Sequence, residues 1–212
     1  MNDKIIKWQD INIQKVESYS DTHNIYVILQ DKKDKTLKQI KFMYVLLGEF
    51  AKEFYGETDE KIIEELKNSL YFDYCKDNNL EFYRTKTASV TDMKMFLDWL
   101  IKYMAQEFGI TIALELIEEG FLNSWIYACT CNKICCICGK RNADIHHTKS
   151  IGIGKNRDKV DHTKYRVISL CRKHHTIEHE TKELLKKHGL HGVQLNKYDF
   201  ERLGIKGAYE EV

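Results

Sequence analysis

Between Cys135 and His179 the chain reads CCICGKRNADIHHTKSIGIGKNRDKVDHTKYRVISLCRKHHTIEH, and no other stretch limits its possible folds so strongly. Two sets of metal-ligand side chains are interleaved in it. Cys135-x-x-Cys138 with Cys171-x-x-His174 is a pair of short-spaced pairs whose soft and borderline donors suit a closed tetrahedral zinc site, a structural ion that takes over part of the job of a core. His146-His147 with His175-x-x-x-His179 is the second set, which such a zinc does not need. A structural zinc takes four ligands, so the remaining histidines require a second, catalytic explanation. His174 and His175 are neighbours on an expected helix, so only one of them can face the zinc. His174 is the first choice and His175 the alternative.

Cysteine usage points the same way. There are seven cysteines, an odd number; five fall between Cys129 and Cys138, and Cys75 stands alone. Metal binding in a reducing compartment fits this pattern better than a disulfide scaffold. Cys131 is close enough in sequence to compete for the zinc. The start of the chain has no apolar signal-type region and no run reaches membrane-spanning length, so a soluble, cytoplasmic protein without a membrane partner is expected. The formal net charge of +1 is uninformative, but its distribution is not: from Cys131 to His191 there are fourteen Lys and Arg against six Asp and Glu. A basic segment beside an acidic remainder suggests one phosphate-facing surface.

The 212 residues suit one to two domains. Asp10 to Val16 and Asn24 to Leu29 read as a strand pair. Met43, Leu46, Leu47, Phe50, Ala51 and Phe54 recur at helical spacing between about Lys38 and Tyr55, closed by Gly56. Thr58 or Asp59 caps a second helix with Ile62, Ile63 and Leu66. A third runs from about Thr91 to Phe108, opened by Ser89 or Thr91 and closed by Gly109, with Met93, Phe96, Leu97, Leu100, Ile101 and Met104 on its core face. Ile110 to Leu116 reads as a short strand and Ile117 to Ala128 as another helix. A zinc-knuckle turn at Cys135 to Gly139, strands at Asp144 to His147 and Arg166 to Leu170, and a helix from Arg172 to His188 follow. His175 and His179, four apart on that helix, share a face and can grip one ion. The predicted boundary near Ala128 to Lys133 divides residues 1–128 from 129–212.

The order of strand with His-His, long loop, strand, CxxH, and helix with HxxxH resembles the HNH endonucleases, whose ββα-metal fold carries this arrangement. More narrowly, the segment through GVQLNKYDFERLGI resembles the HNHc nucleases of phages and prophages. It covers about the last eighty residues, on CICGK, the His-His pair, SLCRKHH and HxxxH. The expected fold is α+β: the N-terminal mixed strand and helix domain read above, followed by the zinc-stabilised, treble-clef-like ββα-metal module that the resemblance implies. The same resemblance further implies a general base at His147, a metal ligand at His146, and metal or phosphate contacts at His175 and His179. Cys135, Cys138, Cys171 and His174 match its structural zinc positions. The implied activity is metal-dependent hydrolysis of DNA, leaving 5′ phosphate and 3′ hydroxyl ends, in the cytoplasm of a bacterial host or phage-infected cell.

One position departs from the motif. Its middle Asn falls near Arg166, and arginine cannot accept a hydrogen bond as an amide carbonyl does. His162 is the first candidate for that role, with Asp161 and Asn156 behind it. Phosphodiester hydrolysis needs an attacking water, in-line geometry and neutralisation of developing charge. His147 is expected to take the water proton, while His146, His175 and His179 hold one divalent ion, for which imidazole ligands favour Zn, Ni, Co or Mn over Mg. Lys149, Lys155, Asn156, Arg157, Lys159, Arg166 and Arg172 are the expected DNA contacts. The N-terminal part, through KFMYVLLGEFAKEFYG, DEKIIEELK and TASVTDMKMFLDWLIKYMAQEFGI, is similar to lambda-type NinB (Orf) recombination mediators, which implies single-stranded or branched DNA as partners. Tyr71, Phe72, Tyr74, Phe82 and Tyr83 read either as core or as a base-stacking cluster. The competing function is a non-catalytic DNA-binding mediator whose zinc-stabilised module serves as a clamp.

Overall fold

The computed structural model describes residues 34–80, 85–152 and 156–209. The expected strands at 10–16 and 24–29 lie outside them, as do Phe82, Tyr83 and Lys155. The chain is α+β, a helical part followed by a small three-stranded sheet with its own helices. No helix among the described residues is long and apolar enough to cross a membrane.

Helix α1, Leu37–Tyr55, starts at a Thr36 capping box and ends at Gly56, whose left-handed backbone (φ 78°) closes the last turn. Helix α2, Glu60–Asp77, is capped by the Asp59 side chain. Helix α3, Val90–Tyr103, begins where Ser89 and Asp92 satisfy each other's backbone amides. Substituting Ser89→Ala removes one half of that box and is expected to lower unfolding free energy by about 1 kcal/mol, read by chemical denaturation. The apolar stripes of α1 and α3 face each other. Leu46, Leu47, Met93, Phe96, Leu97 and Leu100 are fully buried between them. Tyr71 and Tyr74 of α2 are buried against Phe96, so of the aromatic cluster named above only Phe72 is exposed among the described members.

Two expectations need correction here. The third helix does not remain α-helical to Phe108: Met104–Phe108 widens into a π-helical turn closed by Gly109. Residues Ile110 to Leu116 form no strand, because no neighbouring strand offers them a ladder. Ile110 and Ile112 are buried, and a 3₁₀ turn follows at Leu114–Leu116. The next α-helix, α4, spans Leu122–Cys131, after a 3₁₀ turn at Glu119–Phe121. Trp125, Ile126, Ala128 and Cys129 of α4 are buried, and α4 packs both on α3 and on the sheet, so one apolar cluster continues across the chain. The expected division at 128/129 falls inside α4.

Strands β1, Asp144–His147, and β2, Arg166–Leu170, pair antiparallel with His146 opposite Ile168 and His147 opposite Val167. A two-residue strand β3, Val193–Gln194, joins the far edge of β2. Helix α5, Arg172–Thr181, follows β2 directly, so the order is strand, strand, helix. It does not reach His188 as expected. Lys182 takes a left-handed backbone (φ 55°), and the Glu178 carboxylate accepts from the Leu185 amide to start α6, Leu184–Lys187. Helix α7, Lys197–Arg202, opens with an Asn196 capping box and buries Phe200.

Candidate functional site

The knuckle at Cys135–Gly139 is held by its own backbone. The Cys135 amide donates to Lys140 O and the Gly139 amide to Cys135 O. Gly139 has φ 69°, and a Cβ there would meet Thr111 Oγ1 at 2.8 Å, so only glycine fits the turn. The Cys136 amide donates to Ser169 O, which ties the knuckle to β2 and brings it beside the start of α5.

Cys135, Cys138, Cys171 and His174 converge there. Cys135 Sγ and Cys171 Sγ lie 3.3 and 3.4 Å from His174 Nδ1, and Cys138 Sγ lies 3.8 Å from Cys171 Sγ. A tetrahedron with Zn–S of about 2.3 Å and Zn–N of about 2.0 Å has edges of about 3.8 Å between sulfurs and about 3.5 Å from sulfur to nitrogen. The four side chains therefore fit a zinc ion. His174 joins the sulfurs and His175 does not, because adjacent helical residues project about 100° apart. Cys131 stands apart: it is buried with its Sγ 3.8 Å from Asp199 Oδ1, and burial pushes its thiol up to about 11.

The second set gathers on the other side of α5. One ring nitrogen each from His146, His175 and His179 lies within 4.8 Å of the others. Their rings stand nearly perpendicular in pairs, at 78° to 84°. His146 is buried, His175 half-buried and His179 exposed, so the cluster is closed at the strand and open to solvent at the helix. Burial, then His175 and His179, hold His146 down to about 4, and burial, then His179, lowers His175. Neutral imidazoles offer lone pairs, and three of them with an open side suit a borderline divalent ion.

His147 points away from this cluster toward the long loop. Its Nε2 is 2.9 Å from His162 Nδ1, and His162 Nε2 is 3.1 Å from the Arg157 carbonyl. A carbonyl only accepts, so His162 carries its proton on Nε2 and its Nδ1 accepts. His147 must then donate from Nε2, which leaves Nδ1 as its free lone pair. Burial, then His162 and Arg157, depress His147 to about 4, so it is neutral at pH 7.

His162 is buried and is held in place by two short turns, Arg157–Lys159 and His162–Lys164. The side chains of Asn156 and Asp161 cap these turns by accepting from Asp158 and Thr163 amides. They therefore shape the loop and do not reach His147. Arg166 is not beside His147 either; its guanidinium donates to the carbonyls of His191 and Gly192 and pins the β3 edge. Lys149, Arg157, Lys159 and Arg172 are exposed, and Arg172 and Arg157 are near enough to His175 to bear on its charge.

Asp144 is a site residue that motif reading passes over. Its Oδ2 lies 3.7 Å from His175 Nδ1 and 3.4 Å from Arg172 Nη1. The signal was its place two residues before His146, on the same face of a strand.

A family model described as "Putative HNHc nuclease" matches residues 12–201. The chain belongs to this HNHc nuclease family. The match is wider than the Cys/His segment, so helices α1 to α4 are part of the family's own extent and not an unrelated addition. No curated protein and no solved structure matches the chain. In this HNHc nuclease the zinc-fitting quartet and the tri-histidine cluster draw on different faces of one helix.

Proposed function

We propose that the protein is a metal-dependent endonuclease that hydrolyses DNA phosphodiester bonds. The observation that carries this reading is the tri-histidine cluster of His146, His175 and His179, next in β1 to His147, whose Nδ1 is left as a lone pair by the Arg157–His162–His147 chain. His146, His175 and His179 would hold a divalent ion, which would supply neutralisation of the charge that develops on the phosphate and the leaving oxygen. His147 Nδ1 takes a proton from the attacking water as its oxygen bonds to phosphorus and the bond to the 3′ oxygen breaks. His162 holds the tautomer throughout. The released 3′ oxygen is protonated from solvent.

Asn Oδ1 and His Nδ1 are both bonded to Cγ, so a histidine at 162 can supply the acceptor that the motif normally takes from asparagine. Exposed Lys149, Arg157, Lys159 and Arg172 are assigned to the DNA backbone, and Lys155 is assigned with them from its place in the loop. Arg166 is withdrawn to a structural role by its bonds to β3. A role in phage recombination, repair or DNA processing is part of the proposal and is supported by sequence resemblance.

Supercoiled, single-stranded and branched DNA incubated with chelator-treated, zinc-retaining protein tests the reading. Cleavage is expected on adding Mn, Ni or Co and none without an added ion. Retention on DNA at low salt with no cleavage under any ion would instead make the protein a non-catalytic clamp.

A further inference from the structure

Asp144 and His146 leave the same face of β1, and both meet α5. Asp144 Oδ2 is shielded from solvent although the side chain is 36% exposed, and its contacts are ion-pair contacts without hydrogen-bond geometry. A shielded acceptor whose partners are poorly aligned costs free energy, and such groups often persist where something other than stability uses them. Two groups face it: Arg172 Nη1 at 3.4 Å and His175 Nδ1 at 3.7 Å. Arg172 is a poor reason for keeping the carboxylate, since its side chain is 81% exposed and exposed ion pairs contribute little.

His175 is the better reason. A neutral imidazole has one protonated nitrogen, and that choice decides which nitrogen offers a lone pair. Among the described residues no other carboxylate comes within ion-pair distance of the three ion-site rings. Nor do the Asp144 oxygens join the three nitrogens as a fourth member of their cluster, which puts the carboxylate behind His175. We propose that Asp144 is a positioning residue for the tri-histidine site: its Oδ2 accepts from His175 Nδ1–H, leaving Nε2 as the coordinating nitrogen. A shift of about 1 Å turns the present contact into a charge-assisted hydrogen bond of about 2.7–2.9 Å. Carboxylates behind metal-bound histidines fix ring orientation and raise ligand basicity in this way. The inference rests on reading the three histidines as an ion site.

Titration of zinc-retaining protein with Co(II), followed by visible absorption and by competition with a chromophoric chelator, tests it. Asp144→Ala should weaken Co(II) binding by about tenfold to a hundredfold. Asp144→Asn should weaken it less, since its amide oxygen still accepts from Nδ1–H. The saturated absorption bands should keep their wild-type positions and intensities in both variants, because the coordinating set is unchanged, and zinc should stay at one per chain. Wild-type affinity in Asp144→Ala overturns the proposal, and so does a changed band pattern, which would make Asp144 a ligand. If the alanine variant loses its zinc, the asparagine variant decides: weaker binding with unchanged bands supports the role, and unaltered affinity sinks it. Should the wild-type protein bind no Co(II) beyond its zinc, the ion site itself fails and takes this inference with it. Normal wild-type binding beside unaffected variants removes the inference alone.

Discussion

Replacing His147 with alanine should lower DNA cleavage by about 10²- to 10⁴-fold, the usual contribution of a positioned general base, while DNA retention stays at the wild-type level. The separation of effects follows from geometry. His147 is half-buried against His162 of the loop, whereas the cations assigned to phosphate are exposed. Its depression to about 4, from burial first, keeps the lone pair available throughout the neutral range. His162 gives the stricter version of the experiment. His162→Ala removes the acceptor that fixes the His147 proton on Nε2, so part of the population carries it on Nδ1 and cannot accept from water. His162→Asn restores an acceptor at the same distance from the backbone and should recover most of the loss. Single-turnover rates under saturating protein separate these outcomes from binding. Near-full cleavage by His147→Ala sinks the general-base role, and equal rates for His162→Ala and His162→Asn would remove the tautomer argument.

The elements set by periodicity and ligand spacing were legible in the sequence. Helix α1 announces itself by a full apolar stripe closed at Gly56, and α3 by a stripe opened at Ser89, although its α-helical part stops at Tyr103. The zinc-fitting quartet is legible because a tetrahedron with short bonds demands closely spaced pairs, and β1 was found by the histidines it carries more than by its composition. The break after Thr181 was hidden, since Lys182 adopts the left-handed backbone without any glycine or proline to signal it. Strand β3 has two residues and no periodicity to detect, though the Asn196 and Asp199 box that starts α7 was there to be read. At the site, His162 could be ranked as an acceptor from residue chemistry alone. Its link to His147 could not, because it depends on two 3₁₀ turns in a loop where no repeating pattern exists. Arg166 was misleading for a related reason: spacing put it at the motif position, and only the β3 edge explains what its guanidinium does.

Breaking the zinc-fitting quartet should have the largest effect on stability. Cys171→Ser takes away a proposed ligand between β2 and α5, while Cys135 and Cys138 lie in the knuckle, so a bound ion would tie elements whose ligands are more than thirty residues apart in sequence. A structural zinc contributes on the order of 10 kcal/mol of apparent binding free energy, comparable to the whole stability of about 5–15 kcal/mol of an ordinary domain. Backbone bonds keep the knuckle's turn and tie Cys136 to β2, but little else holds α5, which buries only Glu178 along its length. Without the ion, α5 should detach from the sheet and the tri-histidine cluster should disperse, because His146 belongs to β1 while His175 and His179 belong to α5. Hydrogen exchange followed by mass spectrometry checks this directly. Amides in 133–147 and 166–181 should lose their protection in Cys171→Ser, while α1 and α3, with Leu46, Leu47, Phe96 and Leu100 packed between them, keep most of theirs. Cleavage should disappear although no proposed catalytic residue has been changed. Full protection of α5 in the zinc-free variant would show that apolar packing alone carries the module and that the quartet has some other task.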